Sequence, residues 1–219
     1  MKRNQTGFTL IEIAIVLVII GLLLGGVLKG TELINQAKIK NVIADFNGVQ
    51  AAYYGYQDRF KRIPGDDPGA TTRWGAAAIS GNGNGLIAGN YNRAIVAPPV
   101  AAEESNLFWQ HLRSAGFIPG PTSGTESGQQ PTNAVTGMLG VESAAAGTGL
   151  GLSGVIICSA NLPAKIAIAV DTQLDDGKSA TGQVRGMSQA AGATNPNTGG
   201  ASANYVDDGN TQYLVCKVI

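Results

Sequence analysis

The sequence predicts an α+β chain: one long helix at the front, then a body of short strands, a short helix and long loops. Three observations carry this reading. All nine prolines lie at or beyond Pro64, so nothing in residues 1–63 removes a helical N–H. From Phe8 to Leu28 the only ionisable side chain is Glu12. Only seven of the 31 glycines precede Arg62, which leaves the remainder at roughly twice the usual glycine density. A length of 219 residues suits one domain, or one domain with an appendage, and is enough to bury a core.

The front divides into a basic leader, an apolar run and a patterned stalk. At 1.5 Å per residue, Phe8 to Leu28 reaches roughly 30 Å, one hydrocarbon thickness. Lys2 and Arg3 precede the run, which keeps the amino terminus cytoplasmic and sends the body outward. A secretory signal peptide would have a shorter apolar region and end in a small-residue cleavage site followed by unrelated sequence. Here the run continues into Val42, Phe46, Val49, Tyr53, Tyr56 and Phe60, which recur every three or four residues along one helical stripe, with Asn47, Gln50, Gln57 and Arg59 between them. A helix from Phe8 to about Phe60 would be on the order of 80 Å long. Its first half wants lipid or other identical helices; its second wants a sheet to lean on. Gly21, Gly25 and Gly26 each cost about 1 kcal/mol against Ala in a helix interior. They read either as close helix packing, with Gly21 and Gly25 at G-x-x-x-G spacing, or as a point where the helix can stretch; both readings imply bundling.

The stretch "RIPGDDPG" ends the helix, because Pro64 has no amide hydrogen and biases Ile63 away from helical dihedrals. Asp66 and Asp67 read as a solvated turn. Beyond it, "AAEESNLFWQHLRSAGFIPG" reads as a short helix: Glu103 and Glu104 suit its start, Leu107, Phe108, His111, Leu112 and Ala115 share a face, and Gly116 and Pro119 stop it. His111, the single histidine, has no partners at metal-ligand spacing and reads as a packed helical residue. "VIIC" (155–158), "KIAIAV" (165–170) and "QYLVCKVI" (212–219) read as strands. Alternation puts Ile156 with Cys158, and Leu214 with Cys216 and Val218, on single faces. As the only cysteines, in a body expected outside the cytoplasm, Cys158 and Cys216 are expected to form a disulfide rather than remain free. Residues 120–154 and 188–204, rich in Gly, Ser, Ala, Thr and Asn, are expected as loops.

Other patterns lead nowhere catalytic. "GLGLSG" (149–154) matches G-x-G-x-x-G but lacks a preceding strand and a following helix. "SGNGNGLI" resembles part of a calcium loop, yet Ser80 and Tyr91 stand where the carboxylates belong, and a turn before a strand is expected. Asp171, Asp175 and Asp176 form a better acidic cluster and are the calcium candidates; no other cofactor is indicated. No G-x-S-x-G elbow occurs and no catalytic constellation is visible. With 15 Lys+Arg against 15 Asp+Glu and no basic cluster, nucleic acid is not indicated as a partner.

The arrangement of a basic leader, "GFTLIE" (Gly7 to Glu12), an apolar run and an amphipathic stalk resembles the amino terminus of the type IV pilin superfamily, which includes type IV pilus subunits and type II secretion pseudopilins. The resemblance covers roughly the first quarter of the chain and elsewhere extends only to layout. It implies a leader at 1–7, cleavage by a membrane-embedded prepilin peptidase between Gly7 and Phe8, and methylation of the new Phe8 amine. It implies that Glu12, a costly carboxylate in hydrocarbon, pairs with that amine on a neighbouring subunit during assembly. A disulfide toward the carboxyl end also fits this family. Many major pilins carry a proline near the end of the apolar run, where this chain has Lys29 and Gly30; that leaves the glycines as the flexible site. Cleavage would also remove Lys2 and Arg3 and leave the mature subunit mildly acidic.

The resulting expectation is an α+β, pilin-like subunit: a helical spine at 8–60, with 8–28 spanning the membrane or forming the filament core and 29–60 as stalk, and a head at 61–219 built on an antiparallel sheet. It would sit in the bacterial inner membrane, N-in and C-out, and then join identical or related pilin subunits, through inner-membrane assembly machinery, in a surface pilus. It is not expected to be an enzyme. A periplasmic pseudopilus of a type II secretion system is the alternative within the resemblance. A signal-anchored exported binding protein or enzyme, keeping Met1, is the alternative outside it.

Overall fold

Helix α1 runs from Leu10 to Phe60, in a computed structural model that describes residues 9–95, 104–144, 150–189 and 204–219. The chain divides into two units, one ending at Lys38 and one from Ile39 to Ile219. In the first, every large apolar side chain from Leu10 to Leu28 is at least 46 % exposed. A helix that apolar on all sides has no core of its own. Its length and composition are those of a membrane-crossing helix. Nothing lies within 4 Å of where a Cβ would stand on Gly21, Gly25 or Gly26.

In the second unit α1 buries Ile39, Val42, Phe46, Val49, Ala52, Tyr53 and Tyr56. These positions form one stripe at helical spacing, and they meet one face of a sheet. The sheet consists of β1 (Leu139–Ala144), β2 (Gly154–Pro163), β3 (Val184–Gln189) and β4 (Gln212–Val218), in the order β1-β2-β4-β3 with every pairing antiparallel. Leu139, Val141, Val155, Ile157, Val184, Tyr213 and Val215 supply that face. Two further helices complete the layer, α3 (Glu104–Ser114) and α4 (Ala164–Leu174), with Phe108, Trp109, Leu112, Ile166, Ala167 and Val170 in the same core. A short α2 (Ala70–Trp74) lies in the connection after α1. The architecture is α+β and pilin-like in layout, a long amino-terminal helix packed through its second half on a four-stranded antiparallel sheet.

Helix α1 ends where the chain enters left-handed backbone at Lys61, φ 55°, whose N–H still reaches the Gln57 carbonyl at 2.8 Å; Pro64 then forbids another turn. The sheet's second face carries its own core, with Tyr91, Leu150, Leu152, Ile156, Cys158, Met187, Leu214 and Cys216.

Four expectations are corrected here. "KIAIAV" is helical: Pro163 caps α4, and Ile166, Ala167, Val170 and Asp171 are buried at helical spacing. The six-residue window alternates apolar and small residues well enough to satisfy either period. Residues 120–154 are not all loop, since β1 lies inside them, and β3 was not expected at all. Both are short, polar-looking strands whose formation depends on their neighbours in the sheet. "SGNGNGLI" precedes no strand among residues 88–95. Helix α3 is buried from Glu104 to Arg113 on all sides rather than on one face.

Candidate assembly site and the buried anion clasps

The amino end of α1 is organised by Thr9 and Glu12. Thr9 immediately precedes the first helical residue and Glu12 is the third residue of the helix. Glu12 Oε2 accepts both the Thr9 main-chain N–H and the Thr9 hydroxyl, each at 2.7 Å. Thr9 Oγ1 in turn faces the Glu12 N–H at 3.4 Å. This is a capping box, T-x-x-E, in which two of the otherwise unpartnered N–H groups of the first turn find acceptors. It also holds the carboxylate beside the helix start, where the dipole favours negative charge. Oε1 takes no part in these bonds. Gly7 and Phe8 lie outside the described residues.

Cys158 and Cys216 face each other directly in the β2–β4 register, their Cα atoms 4.1 Å apart, and are joined by a disulfide. Both are fully buried in the second core.

Asp171, Asp175 and Asp176 are neighbours, but each carboxylate serves the loop after α4. The buried Asp171 accepts the Tyr205 hydroxyl at 2.7 Å and the Gly177 N–H at 3.1 Å. Asp175 accepts the N–H groups of Gln183 and Val184, at 2.5 and 3.1 Å. Asp176 accepts from Lys178 N–H and the Thr181 hydroxyl. Burial raises the Asp171 carboxyl above its ordinary range. Among the described residues no group of three His, Cys, Asp or Glu side chains is arranged to hold a metal ion.

The solvated turn expected at Asp66 and Asp67 is instead a buried clasp, with the two residues 4 % and 0 % exposed. Asp66 Oδ1 accepts the N–H groups of Gly83 and Asn84, at 2.6 and 2.9 Å, and Oδ2 that of Gly85 at 2.7 Å. The glycine-rich "SGNGNG" therefore wraps an internal anion and presents it with N–H donors, a concave nest of the kind that binds phosphates elsewhere. Glycine is required where the two loops touch: a Cβ on Gly81 would stand 2.3 Å from the Gly65 carbonyl oxygen. Asp67 accepts the Tyr56 hydroxyl at 2.7 Å and the Gly69 N–H at 2.8 Å, and is ion-paired with Arg73. The Arg73 guanidinium lies over the rings of Phe60 and Trp74, 4.6 and 5.0 Å from their centroids.

Two more buried acids pin the same loop. Glu104 accepts from Asn82 N–H at 2.9 Å and Ala88 N–H at 2.8 Å, and Glu142 accepts from Tyr91 N–H at 2.7 Å. His111 closes the arrangement. Its Nδ1 accepts the Gly65 N–H at 2.9 Å, which places the ring hydrogen on Nε2, donating to the Ile79 carbonyl at 2.7 Å. Burial lowers the imidazole to about 4, with the Ile79 bond opposing and Arg73 adding to that shift. Charge pattern alone did not mark these acids as buried. The available signal was the pairing of one acidic turn with a G-N-G-N-G run, that is, an acceptor with several free donors.

The chain has no match among curated proteins and none among solved structures. Residues 2–28 match the family described as the prokaryotic N-terminal methylation motif. That segment ends where the exposed apolar run of α1 ends, at Leu28. The chain thus carries at its amino terminus the prepilin-type signal of type IV pilins and pseudopilins, heading a long apolar helix.

Proposed function

We propose that the chain is a prepilin: a prepilin peptidase cuts after Gly7, the amine of Phe8 is methylated, and the mature subunit polymerises through α1 into a type IV pilus. The observation that carries this reading is the coincidence of the methylation motif at 2–28 with an exposed, all-round apolar stretch of α1, up to Leu28, whose one acidic residue is Glu12. Such a surface requires lipid before assembly and other helices after it. Before assembly the subunit sits in the inner membrane with Lys2 and Arg3 inside. Glu12 is then the registration group: an ionised carboxylate in hydrocarbon needs a partner, and the amine freed on a neighbour's Phe8, with an ordinary pKa of roughly 8, supplies it. The Thr9 bonds support this role, because they fix Oε2 and leave Oε1 for an incoming amine. The motif points to a structural subunit rather than an enzyme.

The test is mass spectrometry of the amino terminus in sheared-surface and membrane fractions of native cells. N-methyl-Phe8 in sheared material is the expected result. The same terminus confined to membranes would assign a secretion pseudopilin instead. An intact Met1 in both fractions would overturn the proposal in favour of an anchored exported domain.

A further inference from the structure

At one end of the sheet a groove of about 690 Å³ opens between α1, β3 and β4, lined by Gln50, Tyr54, Ser153, Gln183, Arg185 and Lys217 among others. Both cations in it are positioned by neutral groups. Arg185 donates from Nε to the Gly182 carbonyl at 3.1 Å and from Nη1 to the Leu150 carbonyl at 2.8 Å. Lys217 Nζ donates to Gln50 Oε1 at 2.7 Å. Neither is ion-paired among the described residues. Asp175 directs Oδ2 at the N–H groups of Gln183 and Val184, and Ile219 also lines the groove. Lys217 is partly buried, and burial lowers its amine below the ordinary value. Tyr54, 48 % exposed, adds an aromatic wall.

The complementary feature lies at the other end of the same strand. Val206 N–H donates to the Tyr213 hydroxyl at 2.7 Å, which ties the segment before β4 to that strand's first residues. Val206 is 57 % exposed, and Asp207 and Asp208 beside it are exposed. Asp208 is held by Asn210 and Thr211 within its own turn, whereas Asp207 is in no ion pair among the described residues. Strand β4, Gln212–Val218, separates the two features by about 20 Å.

We infer that the Arg185/Lys217 groove receives the Val206-Asp207-Asp208 segment of a second copy of this chain. An aromatic wall with two cations suits the apolar Val206 followed by the Asp207 carboxylate, with Asp208 holding the turn that presents them, and Arg185 keeps Nη2 free for a charge-assisted bond. With copies pointing the same way, as the filament reading requires, each fills the next one's groove, so the contact is heterologous and adds copies head to tail; the reciprocal two-fold arrangement would need them to point in opposite directions. This rests on the reading of the chain as a filament subunit and gives the heads a directional contact in addition to the helices.

The test uses the full-length chain in native cells. Tyr54→Cys combined with Val206→Cys places one thiol in the groove and one on the acidic segment, while Cys158 and Cys216 stay buried in their own bond. Oxidation should give, on a non-reducing gel, a ladder of disulfide-linked dimers, trimers and higher species that collapses to monomer with reductant. In parallel, Lys217→Glu and Asp207→Lys should each cut the assembled fraction by about tenfold, because each brings like charges together, and the double variant should restore it by pairing opposite charges again. Dimers alone, monomers alone, or charge reversals without mutual rescue would overturn the docking. The amino-terminal mass separates the two readings: a processed Phe8 with no ladder removes only the groove contact, whereas a retained Met1 removes the filament reading on which it rests.

Discussion

His111 Nδ1 accepts the main-chain N–H of Gly65 at 2.9 Å, and this single bond fixes the protonation state of the imidazole. A proton added to Nδ1 would face another donor, in a residue with no exposed surface. The imidazole is therefore neutral in the folded head, its pKa lowered to about 4 from the ordinary 6.5.

The consequence is a stability that depends on pH with a definite sign. Above about 6.5 both folded and unfolded states hold His111 neutral and its contribution is complete. Between about 6.5 and 4 the unfolded chain takes a proton that the folded head refuses, so stability falls as pH falls, by about 3 kcal/mol at the lower end. Asp171, raised by burial, acts in the opposite direction, since its folded form prefers the proton. Chemical denaturation of the wild type and of His111→Gln across this range isolates the histidine. The variant should start lower and show a flatter acid slope; equal slopes would mean that His111 is not the group responsible.

Asp66 should be the most sensitive acid in the head. It accepts three main-chain N–H groups from Gly83, Asn84 and Gly85, and Asp66→Ala removes the buried acceptor that holds this otherwise exposed loop down. A loss of about 3 kcal/mol or more is expected from bonds to a charged acceptor. Hydrogen exchange should accelerate at residues 82–85 beyond the change elsewhere. Gly81→Ala should give a similar loss by a different route, because its Cβ would meet the Gly65 carbonyl oxygen at 2.3 Å. A mild effect of both would mean that the loop is not docked as described.

How far the sequence showed all this depends on range. Helix α1 was legible because the cause is local and repeated: no proline before Pro64, one acidic residue in the apolar run, and an apolar stripe continuing to Phe60. Strands β2 and β4 were legible as apolar runs bounded by breakers. "KIAIAV" was misread because six residues fit both periods, and the deciding residues, Asp171 buried one turn after Ala167 and Leu174 half-buried one turn after Val170, lie outside the window. β1, "LGVESA", carries the buried Glu142, and β3, "VRGMSQ", carries Arg185; each becomes a strand through partners far away in sequence. The same limit hid the acid clasps. Asp66 is buried by a loop that begins some fifteen residues later, and nothing next to Asp66 announces it.

The disulfide should contribute mainly through the unfolded chain. Cys158 and Cys216 are 58 residues apart, and closing a loop of that size is worth about 2 to 4 kcal/mol. Cys158→Ala with Cys216→Ala should lower the denaturation midpoint accordingly. Since both residues are wholly buried, reductant under native conditions should act slowly and accelerate only as denaturant opens the sheet. Rapid reduction of the folded head would contradict the burial.

Thr9 and Glu12 allow the capping role of the carboxylate to be separated from its charge. Thr9→Ala removes the hydroxyl that bonds Glu12 Oε2 and should cost about 1 kcal/mol of helix start, read as roughly fivefold faster amide exchange at residues 11–13 of the micelle-held chain. Glu12→Gln keeps an acceptor oxygen for the Thr9 N–H and hydroxyl but removes the negative charge. If Glu12 serves assembly by neutralising a neighbour's Phe8 amine, Glu12→Gln should abolish incorporation with the helix start nearly intact, and Thr9→Ala should assemble at reduced efficiency. If capping were the whole role, the order would reverse, with Glu12→Gln near wild type and Thr9→Ala defective. Quantifying sheared filaments from the two variants, alongside exchange at the helix start, decides between charge and cap.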